Sequence, residues 1–242
     1  MHGYNHHTQS FRFLGKQLQD RFTILAIDLP YHGFTSWEEK RPLVPEDLHA
    51  IILKIHPQAS KGMHILGYSM GGRFSLAYFQ HYPDIVKSIA LVAPDGLRNN
   101  PWYKIATHTK IGNRIFHNTM HNPAWLQRLI RTGDRFKLTK KGLTNSARYF
   151  LQNEEGRMQL YNRWTSLSLF RPQLRTIHKL LAKYGVPVRM LLGKADPVIS
   201  WKDGLRFQKG CPQWIQSSIV PAGHFLLNER YADEIIKLLP ER

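Results

Sequence analysis

Gly67-Tyr68-Ser69-Met70-Gly71 constrains this chain more than any other stretch, because it sets a serine between two glycines where one periodicity gives way to another. Met63-His64-Ile65-Leu66 before it reads as a short buried strand. Gly72 to Tyr82 after it reads as a helix, with Phe74, Leu76, Ala77, Tyr78 and Phe79 apolar. A strand that passes straight into a helix turns sharply, which strains the backbone of the apex residue and crowds neighbouring backbone against it. Glycine at 67 and 71 leaves room for that approach. The geometry has a chemical use: a serine hydroxyl is a poor nucleophile near neutral pH and must stand where a histidine can take its proton. Ser69 is therefore a candidate nucleophile. An ordinary loop or helix-cap serine would need none of this context.

If Ser69 attacks, a base must reach it and a carboxylate must orient that base. Serine elbows of this kind are followed along the chain by Asp or Glu and then by His. Val186 to Gly193 is strand-like, and Asp196 lies just past its end. Ile215 to Val220 is the next strand candidate, and His224 follows it in Pro221-Ala222-Gly223-His224-Phe225. Catalytic groups on open α/β sheets collect beyond the carboxyl ends of strands, which suits both positions. The chain has 13 histidines, and His224 alone follows both the elbow and the Asp-bearing strand end. Asp203 is a competing carboxylate, although its place suits the surface of the next helix. Two backbone N–H groups must also hold the oxyanion, each contributing about 3–4 kcal/mol. Met70, directly after the nucleophile, supplies one. Tyr4, in the loop His2-Gly3-Tyr4, is the candidate for the other; read plainly, that stretch is a flexible terminus.

Taken in order, His2-Gly3, Asp28-Leu29-Pro30-Tyr31-His32-Gly33, Gly67 to Gly72, Gly193-Lys194-Ala195-Asp196 and Gly223-His224-Phe225 resemble the α/β-hydrolase superfamily over most of the chain. The resemblance implies an α/β fold, a mostly parallel sheet with helices on both faces and an inserted helical cap. It implies a Ser69-Asp196-His224 triad that cleaves an ester or related acyl substrate through an acyl-enzyme, with no cofactor and no metal. Tyr68 and Phe225, beside the nucleophile and the base, are the candidate substrate contacts. In the family pattern, Asp28 to Gly33 follows a strand, here Phe22 to Ile27, and shapes the pocket floor, so Asp28 and His32 resemble structural residues. A serine at the elbow separates the chain from the haloalkane dehalogenase and epoxide hydrolase branches, where the elbow carries Asp.

Two further expectations follow from the resemblance. Family members have three strands before the His-Gly loop, so the amino-terminal strands are expected to be missing through a truncated or misassigned start. One of them would lie inside the sheet, between Phe22–Ile27 and Met63–Leu66. Without it, two rows of backbone donors and acceptors lose their partners or the sheet closes up, and the oxyanion donor at Tyr4 comes into question. The second concerns Arg73. The run from Gly67 to Arg73 resembles the elbow of the menaquinone-pathway synthase branch, whose arginine holds a substrate carboxylate in a bidentate pair. A carbon–carbon lyase using the same triad as a base is the alternative among enzymes, and a surface arginine is the plain alternative for Arg73. A catalytically silent binding protein on the same fold is the rival from another class.

The 242 residues are 42% hydrophobic, enough for one sizeable core. They divide into a first core segment at 1–97, a helical cap at 98–185 and a second core segment at 186–242. A single cysteine, Cys211, excludes an internal disulfide framework. No apolar run reaches the length of a membrane span, no signal peptide opens the sequence, and cytoplasm is the expected compartment. Charge is uneven. Positions 98–185 hold seventeen Lys or Arg against Asp134, Glu154 and Glu155, a net +14 of the chain's +17. Trp102, Tyr103, Phe116, Trp125, Phe136 and Trp164 interleave with these bases, and Tyr149-Phe150-Leu151 suggests a buried helix face. Such a segment suits an anionic or lipid-like acyl substrate or an acidic membrane surface. Its bland alternative is a basic lid whose aromatics form its own core. Nucleic acid is disfavoured because no recognised binding motif is present.

Overall fold

A computed structural model describes residues 1–98, 100–135 and 153–241; Phe136 and Tyr149-Phe150-Leu151 lie outside the described residues. The chain forms two units, one of Met1–Ser36, Leu43–Asn99 and Leu169–Arg242, the other of Trp37–Pro42 and Asn100–Ser168.

In the first unit a sheet of four parallel strands runs in sequence order: β1 (Met63–Tyr68), β2 (Val86–Val92), β3 (Val188–Gly193) and β4 (Ile215–Val220). Parallel neighbours need crossovers, and α3 (Met70–His81), α8 (Leu174–Tyr184) and α9 (Trp201–Lys209) supply them. Strands buried on both faces read as nearly continuous apolar runs, and Ile89 to Val92 and Met190 to Leu192 are buried throughout. Alternate residues face opposite layers. Tyr68, Ala90, Val92 and Leu191 pack with Phe11, Leu14, Leu18, Ile235 and Leu239, the apolar side of α1 (Arg12–Leu18) and α10 (Ala232–Ile236) with their flanks. Helix α2 (Pro45–Ile55) packs beside α3. Between α9 and β4, Cys211 is buried with its thiol directed at the His178 carbonyl 3.7 Å away; burial pushes the thiol pKa up.

The structure departs from two expectations, one a boundary and one a strand. The stretch Leu169–Tyr184, expected in the cap, belongs to the first unit. Its reason is local packing: Phe170 stacks on Phe74 at 4.1 Å, and Ile177 and Leu181, one helical turn apart on α8, are fully buried on the layer that includes α3. Phe22–Ile27, expected as a strand, pairs with no strand among the described residues, and Ile24 and Leu25 are exposed. A strand needs a neighbour's hydrogen bonds. On the outer edge of β1 the partner is Met1, whose N donates to Leu66 O at 2.6 Å and whose O accepts from Tyr68 N at 3.1 Å.

In the second unit α4 (Pro101–His108), α5 (Lys110–His121), α6 (Ala124–Arg135) and α7 (Glu154–Ser166) follow in order. Asn100, Thr109 and Asn153 cap α4, α5 and α7 by accepting a backbone N–H two or three residues into each helix. Tyr103, Phe116, Tyr161 and Trp164 form an aromatic cluster with ring centroids 5.0–5.3 Å apart. Trp102 and Trp125 stay outside it and exposed, so only part of the aromatic set builds the unit's core. Among the described residues no helix is long and apolar enough to cross a membrane.

Candidate active site

Ser69 sits at the junction of β1 and α3 with φ 49° and ψ −116°, a left-handed conformation that L-residues rarely hold. The surroundings over-determine it. Ser69 N donates to Val92 O, and Ser69 O accepts from Gly72 N and Asp95 N, all at 2.8–2.9 Å. The flanking glycines permit this closeness. A Cβ on Gly71 would lie 2.1 Å from Met1 O, and one on Gly67 would lie 2.3 Å from Ser75 Oγ. The hydroxyl therefore projects from a fixed backbone, half-buried rather than enclosed.

Ser69 Oγ lies 2.9 Å from His224 Nε2, and His224 Nδ1 lies 2.7 Å from Asp196 Oδ2. Both partners come from loops past strand ends: Asp196 follows β3 and His224 follows β4. The Asp196 side chain is 1% exposed, and its other oxygen accepts from Val198 N and Ile199 N at 2.7 and 2.8 Å. Its carboxylate thus has a fixed orientation. With Asp196 accepting, His224 Nδ1 carries the proton and Nε2 is left to accept from the Ser69 hydroxyl. Asp203 points elsewhere, to Arg206 Nη1 at 2.7 Å.

Tyr68 packs behind the base. Its ring is buried 5.7 Å from the His224 ring, and its hydroxyl donates to His224 O at 3.2 Å. Burial, and secondarily Asp196, pushes its phenol up to about 12. Phe225 is exposed with its ring edge toward His224 at 6.1 Å. Arg73 Nε lies 3.6 Å from Asp95 Oδ2, so its guanidinium meets a carboxylate of the chain itself.

The His2-Gly3-Tyr4 loop passes close over the elbow, since a Cβ on Gly3 would lie 3.2 Å from Ser69 Cβ. His2 anchors the loop. Its Nε2 accepts from Leu29 N at 3.0 Å, so Nδ1–H donates to Gly3 O at 2.8 Å, a neutral ring with no room for a second proton. Burial lowers its pKa to about 3. His32 is buried against His2 and Tyr4, and Asp28 Oδ1 accepts from Thr8 N at 2.6 Å. These contacts lock the loop to the turn at Asp28–Gly33. His6, not singled out in the sequence, also belongs here: its ring meets Tyr68 at 5.1 Å, and burial followed by the charge of His224 lowers its pKa. Only the loop's proximity to the elbow, a non-local fact, exposes it. Among the described residues no group of three or more His, Cys, Asp or Glu could hold a metal ion.

The family model for the alpha/beta hydrolase fold matches residues 1–231. The uncharacterized hydrolase YugF of Bacillus subtilis is 23% identical over 237 residues, covering 95% of this chain and 84% of that protein. A pimeloyl-[acyl-carrier protein] methyl ester esterase of Chromobacterium violaceum is 31% identical over 105 residues, covering 42% of this chain and 39% of its own length. Among solved structures, a thermophilic esterase from Thermogutta terrifontis superposes with a TM-score of 0.62 at 17% identity, covering 98% of this chain and 86% of that one, which is a likeness of fold.

Proposed function

The chain belongs to the α/β-hydrolase family, and from that premise we propose that it is a serine hydrolase cleaving a carboxylic ester or related acyl substrate through a covalent acyl-enzyme. The observation that carries this reading is the two-bond relay from Ser69 Oγ through the His224 ring to Asp196. The neutral His224 Nε2 takes the serine proton as Oγ bonds to the substrate carbonyl carbon. The carbonyl oxygen becomes an oxyanion, held by the N–H groups of Met70 and Tyr4. Asp196 remains ionised and stabilises the imidazolium. As the tetrahedral intermediate collapses, His224 returns the proton to the leaving alkoxide and the acyl group stays on Ser69. Water then repeats the sequence: His224 takes its proton as the water oxygen bonds to the acyl carbon, and as the Ser69–acyl bond breaks His224 returns that proton to Ser69 Oγ, releasing the acid.

Tyr68 positions the base through its backbone, and Phe225 offers an exposed ring beside it for an acyl or alcohol group. A substrate carboxylate approaching Arg73 would compete with Asp95, which weighs against the lyase alternative. The test is labelling by a fluorophosphonate probe together with turnover of p-nitrophenyl esters of graded chain length. Labelling and turnover that vanish in Ser69→Ala support the reading; a parent protein that neither labels nor turns over any ester overturns it.

A further inference from the structure

The second unit carries an apolar surface that its own core does not use. On α5, Ile111 and Ile115 stand one turn apart and are exposed; on α6, Trp125 and Leu129 repeat the spacing, also exposed. The two stripes meet. Ile115, Trp125 and Arg128 line the same surface depression of about 530 Å³, with Asn118, Thr119 and Asn122 between them. On the adjoining α4, Trp102 and Ile105 are exposed as well. Such residues belong inside a protein or against something that removes them from water.

Charge indicates what that is. Between Asp95 and Asp134 the chain has six Lys or Arg and no acid. Lys104, Lys110, Arg114, Arg128 and Arg131 are exposed on the same three helices. Lys110 and Arg114 each precede an exposed isoleucine, and Arg128 lies one turn from Trp125 on the Trp125–Leu129 stripe. Helices with exposed tryptophan and branched aliphatics beside five bases, against Asp134 near the end of α6 and Glu154 beside His121 of α5, have the composition of a cationic interfacial surface. A soluble polyanion would neutralise the bases and leave the isoleucines, leucine and tryptophans wet. A bilayer with anionic headgroups satisfies both sets at once.

We propose that the face formed by α5 and α6, extended by α4, docks on an anionic lipid bilayer, with Trp125, Leu129, Ile111 and Ile115 entering the headgroup–acyl boundary. This goes beyond the ester-hydrolase reading and does not depend on it. The experiment is co-sedimentation of the whole chain with vesicles of phosphatidylcholine alone and of phosphatidylcholine mixed with phosphatidylglycerol. Binding is expected to the mixed vesicles, weakening with added salt, with a blue shift of tryptophan emission that is lost in W102F/W125F. Each basic charge near the surface contributes about a fivefold gain in partition, so K110Q/R114Q/R128Q should weaken binding on the order of a hundredfold. W125S/L129S should weaken it with every charge retained. All these positions are exposed, and unchanged far-ultraviolet circular dichroism checks that each variant is folded. Ser69→Ala should bind as the parent does, which separates this result from the fate of the hydrolase reading. Equal sedimentation with both vesicle types, or none with either, overturns the proposal. So does binding to mixed vesicles that W125S/L129S leaves intact, which would mark a polyanion or acidic-protein surface instead.

Discussion

At Ser69, geometry and chemistry share one residue: the φ of 49° that marks strain is also what lifts the hydroxyl toward His224. If the relay acts as a unit, Ser69→Ala and His224→Ala should each lower kcat by about 10⁴–10⁶, and the double variant should lose little more. Asp196→Asn should cost somewhat less. Additive losses in the double variant would contradict the relay. His2 gives a prediction of stability instead. Its pKa is about 3 in the fold against 6.5 for the free side chain, so below pH 6.5 the unfolded chain takes up a proton that the folded one refuses. Its contribution is fully present above pH 6.5 and is lost as pH falls toward about 3, with a slope of up to about 1.4 kcal/mol per pH unit. His2→Gln, which cannot titrate, should flatten the fall of melting temperature with acid relative to the parent; parallel curves would refute this. The sequence set Ser69, Asp196 and His224 past three strand ends, and their side chains do meet. The Asp95 partner of Arg73 and the buried station of Tyr68 were not legible, because each depends on a loop or layer distant along the chain.

Among the elements, local pattern reached as far as local physics does. β1, β3 and α3 announce themselves through apolar patterns that begin or end at glycine or proline, while β4, with Gln216, Ser217 and Ser218 inside it, is marked mainly by Pro221 after it. Phe22–Ile27 is as apolar but makes no strand pairing among the described residues, and periodicity carries no information about pairing. Position 169 onward failed for a related reason: helices read alike in either unit until one knows what Phe170, Ile177 and Leu181 touch. That packing can be measured. Removing the ring that stacks on Phe74 should cost about 3–5 kcal/mol in Phe170→Ala, a melting-temperature drop on the order of 10 °C for a chain of this size. A loss under about 1 kcal/mol would mean that the stretch contributes little to the first unit's core.

The whole molecule is strongly cationic, +17 over 242 residues, and fields of that size steer small anions as well as surfaces. Such steering is screened over about 8 Å at physiological ionic strength. The kcat/KM for a negatively charged ester should therefore fall severalfold from low to high salt, while a neutral ester of the same acyl chain responds little; matching flat responses would remove the field from the chemistry. The lone buried thiol offers a different window on the same fold. With no second cysteine to compete, reaction of Cys211 with an aromatic disulfide reagent keeps time for the breathing of the corner between α9 and β4, far along the chain from the elbow. Its rate is the intrinsic thiol rate scaled by the fraction of time that corner stands open, so it reads a local opening equilibrium directly. One slow phase in native buffer, quickening smoothly with mild denaturant, is the expected trace; immediate reaction in native buffer would show that the corner is open to the reagent from the start.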